Sequence, residues 1–253
     1  MRLTSALVAA LCVGLMVALT HAEMPAPLQI NAFATRQAIS GHMQIATVAD
    51  LPAGVKWASV TIAILDTRST PITEWKAPAT LLSAQTMTAT FLQPPGSYRL
   101  RVTAIDTARR KSTAECDVTA TLTSIAGGLS VSPIAFGLDG STFQPRREFT
   151  TEPQALARFE LYGGKTDMAV SVTMELAASA DGPAIAKLTP KITPTPETDR
   201  FIVTAPIDLS RLAAGRYVLR AVGGVDGQPA TPFNGTFLLG QRAEGKGQRR
   251  GQR

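Results

Sequence analysis

Histidine, cysteine and aromatic residues are all scarce in this chain of 253 residues: two histidines, two cysteines and 6% aromatics. The N-terminus makes the scarcity sharper. Met1-Arg2-Leu3-Thr4 is a short basic start, Ala6 to Leu19 is apolar and uncharged, and Thr20-His21-Ala22 places small residues where a signal peptidase reads. These are the three regions of a secretory signal. The apolar run falls short of the roughly 20 residues a membrane span needs. Cys12 lies inside that run behind Leu11, not behind the small residue that precedes a lipid-attachment cysteine. Cleavage after residue 22 removes Cys12 and His21 and leaves His42 and Cys116. One cysteine forms no internal disulfide, and one histidine and one cysteine do not fill a four-ligand zinc site. Any Ser-His-Asp or Cys-His chemistry would rest on His42 alone.

Acidic residues are fewer than basic ones, 19 against 25, giving a formal charge of +6. Most of that excess is local. Arg242, Lys246, Arg249, Arg250 and Arg253 face only Glu244 in the last twelve residues. The Gly/Gln-rich end at 241–253 reads as a solvated, disordered basic tail, and the body between leader and tail is nearly neutral.

Long helical periodicity is missing as well. Period-two alternation runs through Lys56–Leu65, Met87–Phe91, Tyr98–Ala104, Met168–Leu176, Phe201–Thr204 and Tyr217–Val222. Each such run predicts a strand with one buried and one solvated face. Ala155–Tyr162 is read as a further strand, with Ala157, Phe159 and Leu161 opposing Arg158, Glu160 and Tyr162. Turn clusters separate the runs, among them Pro94-Pro95-Gly96, Asp139-Gly140-Ser141, Gly163-Gly164 and Asp226-Gly227. Many short strands with such turns predict an all-β sandwich or barrel.

One element recurs. Gly96-Ser97-Tyr98-Arg99-Leu100-Arg101 matches Gly215-Arg216-Tyr217-Val218-Leu219-Arg220 at a constant offset, 119 residues from Tyr98 to Tyr217. Leu92 and Leu212 precede the two copies. The offset is near one sandwich length and predicts two domains in tandem, 28–122 and 129–240, with Gly127-Gly128 at the boundary. In each copy the glycine permits a sharp turn, the leucine is expected under the corner, and the tyrosine hydroxyl returns to the corner backbone. Gly96, Tyr98, Gly215 and Tyr217 are therefore read as structural corners in preference to exposed stacking platforms.

Leu92 to Val102, followed by Ala104, Asp106 and a basic hairpin, resembles fibronectin-III and immunoglobulin-type modules. More closely, it resembles the paired β-sandwich region of secreted bacterial proteins that carry an upstream von Willebrand factor A-related domain. Phe159-Glu160-Leu161-Tyr162-Gly163 resembles a segment of the second module there, and the likeness spans about Leu28 to Leu239. The resemblance implies two tandem antiparallel sandwiches. This chain has no A-type domain, and Asp139-Gly140-Ser141-Thr142-Phe143 lacks the last serine of the Asp-x-Ser-x-Ser metal motif. Metal-dependent adhesion does not carry over.

Candidate chemistry is sparse. Glu115 and Asp117 flank Cys116 on one strand, and Glu197 and Asp199 lie in a loop. Paired carboxylates serve glycoside hydrolysis or calcium, but neither pair has calcium-loop spacing, and solvated charges are the expectation. Cys116 alternates with its acids and is expected to point inward. Arg109, Arg110 and Lys111 sit at a hairpin beside Arg99 and Arg101, which makes these five a candidate basic binding patch or a charged edge that resists strand pairing. Asn234-Gly235-Thr236 fits a glycosylation sequon. No cofactor or metal is expected. The expectation is an exported non-enzymatic protein, periplasmic or extracellular, whose partner is another envelope or extracellular protein or polymer. The alternatives are an adhesion module that binds polysaccharide or another anionic surface through tail and hairpin, and a carboxylate hydrolase.

Overall fold

The computed structural model describes residues 27–37, 41–66, 68–140, 142–163, 169–225 and 231–241. The leader, the tail from 242 and the Asp226-Gly227 turn lie outside the described residues. The fold is all-β. Seven strands form the first sandwich: β1 (Gln29–Arg36), β2 (Met43–Asp50), β3 (Trp57–Leu65), β4 (Pro71–Lys76), β5 (Thr86–Gln93), β6 (Gly96–Asp106) and β7 (Lys111–Ala120). They pair antiparallel as β1-β2-β5 and β4-β3-β6-β7, the three-on-four order of a fibronectin-III-type module. Ile45, Ile62, Ile64, Leu100 and Val102 fill the core between the sheets.

The expected alternation in β3 slips once. A bulge between Trp57 and Ser59 leaves both Ala58 and Ser59 exposed and turns Trp57 inward. An extra residue on one strand flips the faces beyond it, so Ala58 is not on the buried side where simple alternation puts it.

The second sandwich contains β8 (Thr123–Ser124), β9 (Ser130–Val131), β10 (Ala135–Leu138), β11 (Gln144–Pro145), β12 (Glu148–Phe149), β13 (Gln154–Tyr162), β14 (Val170–Ala177), β15 (Ala184–Leu188), β16 (Lys191–Pro194), β17 (Arg200–Asp208), β18 (Gly215–Val225) and β19 (Thr231–Leu239). One sheet runs β11-β10-β13-β17-β16, with β9 also on β13 and β8 on β9. The other runs β12-β19-β18-β14-β15, and β12 joins β19 in parallel. Phe149, Phe159, Leu161, Leu219 and Phe237 build this core. Ala120 is in the first core and Ile125 in the second, so the crossing between sandwiches takes only a few residues. Just beyond the crossing, between β8 and β9 of the second sandwich, Gly127 has a left-handed conformation (φ 74°), and a Cβ there would lie 2.6 Å from Val225 Cγ2. Only glycine fits both constraints.

The repeated corners are built differently under their tyrosines. The Tyr98 hydroxyl donates to the Pro94 carbonyl and the Tyr217 hydroxyl to the Ala213 carbonyl, each at 2.7 Å. Leu212 packs on the second core, but Leu92 is 53% exposed. Gln93 is the residue 119 before Leu212, and it takes the inward position in β5. The leucine expected beneath the first corner is thus out of register by one residue, and one residue reverses the face of a strand.

Candidate interface between the two sandwiches

Strand β1 is buried on both faces. Ile30, Ala32 and Ala34 enter the first core, while Asn31 and Thr35, on the opposite face, are buried too. The second sandwich covers them. Its strand β13 mirrors this: Phe159 and Leu161 point into the second core, and Glu160 and Tyr162, expected on a wet face, are each 1% exposed. Their burial corrects the solvated reading of that face. Two outer sheet faces, β1-β2 and β13-β17, meet here.

Glu160 is the centre of the contact. Arg200 reaches it with a two-point clamp, Nε to Oε2 at 2.8 Å and NH2 to Oε1 at 2.9 Å. Arg158 donates to Oε1 at 3.0 Å, and the Tyr162 hydroxyl donates to Oε2 at 2.5 Å. The Tyr162 hydroxyl in turn accepts the backbone N–H of Arg36, the last residue of β1, at 2.8 Å. The Arg36 guanidinium lies 4.4 Å above the Tyr162 ring and reaches Asp199 at 2.6 Å. Glu197 holds a further arm of Arg200 at 2.8 Å. Arg158 rests near the rings of Phe33 and Phe143, which meet edge to face at 5.3 Å. Farther along, Arg147 N–H donates to Asn31 Oδ1 at 3.2 Å, and Arg146 bridges Asp50 and Glu152.

The electrostatics follow from this geometry. Burial by itself would raise the Glu160 carboxyl, but Arg200, Tyr162 and Arg158 outweigh it and hold the carboxyl below its ordinary value. Tyr162 is pushed up, first by burial and then by the Glu160 charge. Burial works against the Arg200 charge, and Glu160 and Glu197 more than offset it. A buried carboxylate with four donated bonds is a stable anion, so the arrangement holds charge in place; it does not poise a proton for transfer. Three arginines (36, 158 and 200) balance Glu160, Glu197 and Asp199.

The residues singled out in the sequence are placed elsewhere or otherwise occupied. Arg99 pairs with Asp117 at 3.1 Å and Arg101 with Glu115 at 2.6 Å, across β6 and β7. Arg110 is held by Asp106 at 2.7 Å, and Arg109 sits at the hairpin with a positive φ of 66°. Lys111 is exposed at the start of β7. Three of the five basic residues therefore spend their charge on neighbouring carboxylates. Cys116 is partly buried against the first core, and burial raises its thiol to about 11 against a smaller lowering pull from Arg147. Glu197 and Asp199 are part of the interface, not free loop charges. The His42 carbonyl accepts the Gln37 N–H at 2.8 Å. Among the described residues, no three metal-ligating side chains cluster and no helix is long and apolar enough to cross a membrane. Glu160, Tyr162, Arg200, Arg36 and Asn31 were not singled out by sequence reasoning. The available signal was the row Arg158, Glu160, Tyr162, which puts opposite charges two apart beside a large aromatic on a face assigned to water.

No protein-family model matches the chain, and no curated protein matches it. Among solved structures it is similar to the fibronectin(III)-like modules of Clostridium thermocellum CbhA, at 13% identity and a TM-score of 0.26, over 84% of this chain and 94% of that one. It is also similar to the C-terminal domain of BspA, an AgI/II polypeptide of Streptococcus agalactiae, at 12% identity and a TM-score of 0.21, over 85% and 100%. A third likeness is to the C-terminal domain of the Streptococcus pyogenes antigen I/II-family protein AspA, at 9% identity and a TM-score of 0.21, over 85% and 100%. The chain's own strand order carries the sandwich assignment.

Proposed function

We propose that this chain is an exported, non-enzymatic interaction or structural protein, in the periplasm or outside the cell, whose two sandwiches act as one rigid unit. The observation that carries the reading is the buried Glu160 anion, satisfied by Arg158, Tyr162 and Arg200 and tied through Tyr162 to the backbone of Arg36 in the other sandwich. The donors to Glu160 all belong to the second sandwich; relative motion of the sandwiches would break the Arg36 N–H bond to Tyr162 and the Arg36–Asp199 pair and uncover the buried cluster. Export is supported by the three-part leader at 1–22. The units are taken as 28–122 and 129–240, followed by the tail 241–253. A hydrolase reading is disfavoured because Glu115, Asp117, Glu197 and Asp199 are each engaged by an arginine. The natural partner is another envelope or extracellular protein or polymer.

Two measurements test this. Fractionation of the source cells with N-terminal sequencing should find a chain starting near residue 23 outside the cytosol; an uncleaved cytosolic chain overturns export. Spin labels at Thr88 and Ala178, in a Cys116→Ser background, should give one narrow distance distribution. A broad one, as from two beads on a string, overturns the rigid unit.

A further inference from the structure

A cleft of about 320 Å³ opens between the sandwiches. Ala32–Ala34 of β1 and Val118-Thr119 of β7 form one wall, and Asn234–Thr236 of β19 are on the other. β19 lies between β18 and the two-residue β12, so the part of it before Leu238 has a strand neighbour on the β18 side only, among the described residues. Leu238 N–H donates to the Arg147 carbonyl at 2.8 Å and Gly240 N–H to the Phe149 carbonyl at 2.7 Å, where β12 covers the strand. Backbone groups along a strand face the same side every second residue, and the β18–β19 ladder runs without a register shift. The N–H and C=O of Thr236 and Asn234 therefore turn to the same side, beyond the reach of the two-residue β12. Pro232, the next residue of that parity, has no N–H and closes the row. What remains is two exposed residues of strand edge, Asn234 and Thr236, that line the cleft and have no strand neighbour on that side among the described residues.

The cleft also has a sign. Its charged lining residues are Arg146 and Arg147, with no carboxylate among the lining residues. Arg146 is engaged by Asp50 and Glu152, whereas Arg147 forms no ion pair among the described residues; it stands between this cleft and an adjoining one lined by Glu115, Cys116 and Glu148, and its charge acts on the Cys116 thiol. The volume is at the lower end for binding clefts and suits a short extended segment. The chain's own basic tail has the wrong charge for it.

The geometry points to a docking site for an extended acidic segment of a partner protein, which adds as a short strand to β19 at Asn234 and Thr236 and places a carboxylate on Arg147. This deepens the reading of the chain as an interaction protein and rests on it. Recognition is by strand addition: main-chain bonds give affinity and the arginine selects charge. The test uses the full chain and a fluorescein-labelled hexapeptide alternating Val and Glu. A Val/Lys peptide and a Val/Glu peptide N-methylated along one edge serve as controls. Polarisation should show the acidic peptide binding at least tenfold more tightly than either control and at least tenfold more weakly to Arg147→Glu. Amide exchange at Asn234 and Thr236 should slow on binding. Thr236→Pro removes an edge N–H that β18 does not use, and it should weaken binding while leaving the melting curve in place. Should that variant misfold, the N-methylated peptide reads the same bond from the other side. Absence of binding, equal binding of acidic and basic peptides, or binding without slowed exchange overturns the site. Concentration-dependent dimers that already protect both amides overturn it in favour of self-association. Binding of heparin that depends on Arg147 but spares both amides, with no acidic-peptide binding, overturns it in favour of a polyanion. Each of these failures leaves the spin-label distances and the export result unchanged, so they do not bear on the proposed function itself.

Discussion

Arg36 and Tyr162 meet twice: the backbone N–H of Arg36 bonds the tyrosine hydroxyl, and its guanidinium lies over the tyrosine ring. The first contact needs no side chain at residue 36 and the second does. Arg36→Ala is therefore expected to keep the hydroxyl bond and lose the stacking and the partly exposed Asp199 pair, whose worth is at most about 1 kcal/mol. Spin-label distances should broaden modestly while the melting temperature moves little. A large loss of stability would show that the ion pair carries more than its exposure suggests.

Glu160→Ala is a different matter. It removes the shared acceptor and leaves Arg200 and Arg158 without their anion beneath the first sandwich. Removing one member of a buried pair costs about 3–5 kcal/mol, and the lower end applies because both arginines retain some solvent contact. Urea unfolding should show a lower midpoint, with both sandwiches affected.

Acid should loosen the same contact. The Glu160 carboxyl is held below its ordinary 4.5 in the folded chain. Its contribution is complete above that value and is lost as pH falls through the lower, folded value. At the other end, Tyr162 is raised above its ordinary 10.0, which makes neutral tyrosine the better partner. A Tyr162→Phe chain should lose hydrogen bonds at all pH values, and Glu160→Gln should flatten the acid limb of a stability profile. An acid limb unchanged by Glu160→Gln would place the relevant carboxylate elsewhere.

The two corners give a matched pair. Tyr217→Phe and Tyr98→Phe each delete one hydroxyl bond to a carbonyl four residues back. A cost of about 1 kcal/mol is expected for each, larger at Tyr217, which is the more buried of the two. Thermal melts of both single variants and the double variant should show the effects adding, since the corners lie in separate sandwiches.

Gly127→Ala tests the turn between β8 and β9. A left-handed alanine costs about 1–2 kcal/mol, and its Cβ would also press on Val225. Adding Val225→Ala should restore only the part due to crowding. Full restoration would mean that the backbone conformation at 127 is freer than its φ indicates.

Much of the strand inventory was legible because polar and apolar residues alternate cleanly where one face meets water, as in β6 with Arg99, Arg101 and Thr103. The same rule fails where a second sandwich replaces the water. Glu160 and Tyr162 look solvated because polar groups that satisfy one another in a buried cluster have the composition of a wet face. Nothing local to β13 shows that Arg200 and Arg36 will meet it. Leu92 and Ala58 failed for another reason: each is one position out of step, through an unequal spacing before the corner and through a bulge, and period-two reading carries no memory of such shifts. The open edge at Asn234 and Thr236 was invisible because it depends on how short β12 is.

The contact at Arg36 also changes how the chain carries force. β1 is joined to the second sandwich at Asn31 and again at Arg36, so a load applied at Leu28 has a path to the other half besides the covalent one through β7 and Thr121-Leu122. Counted in residues from Leu28, the side-by-side contacts are the shorter connection between the two halves, and the covalent crossing is the longer one.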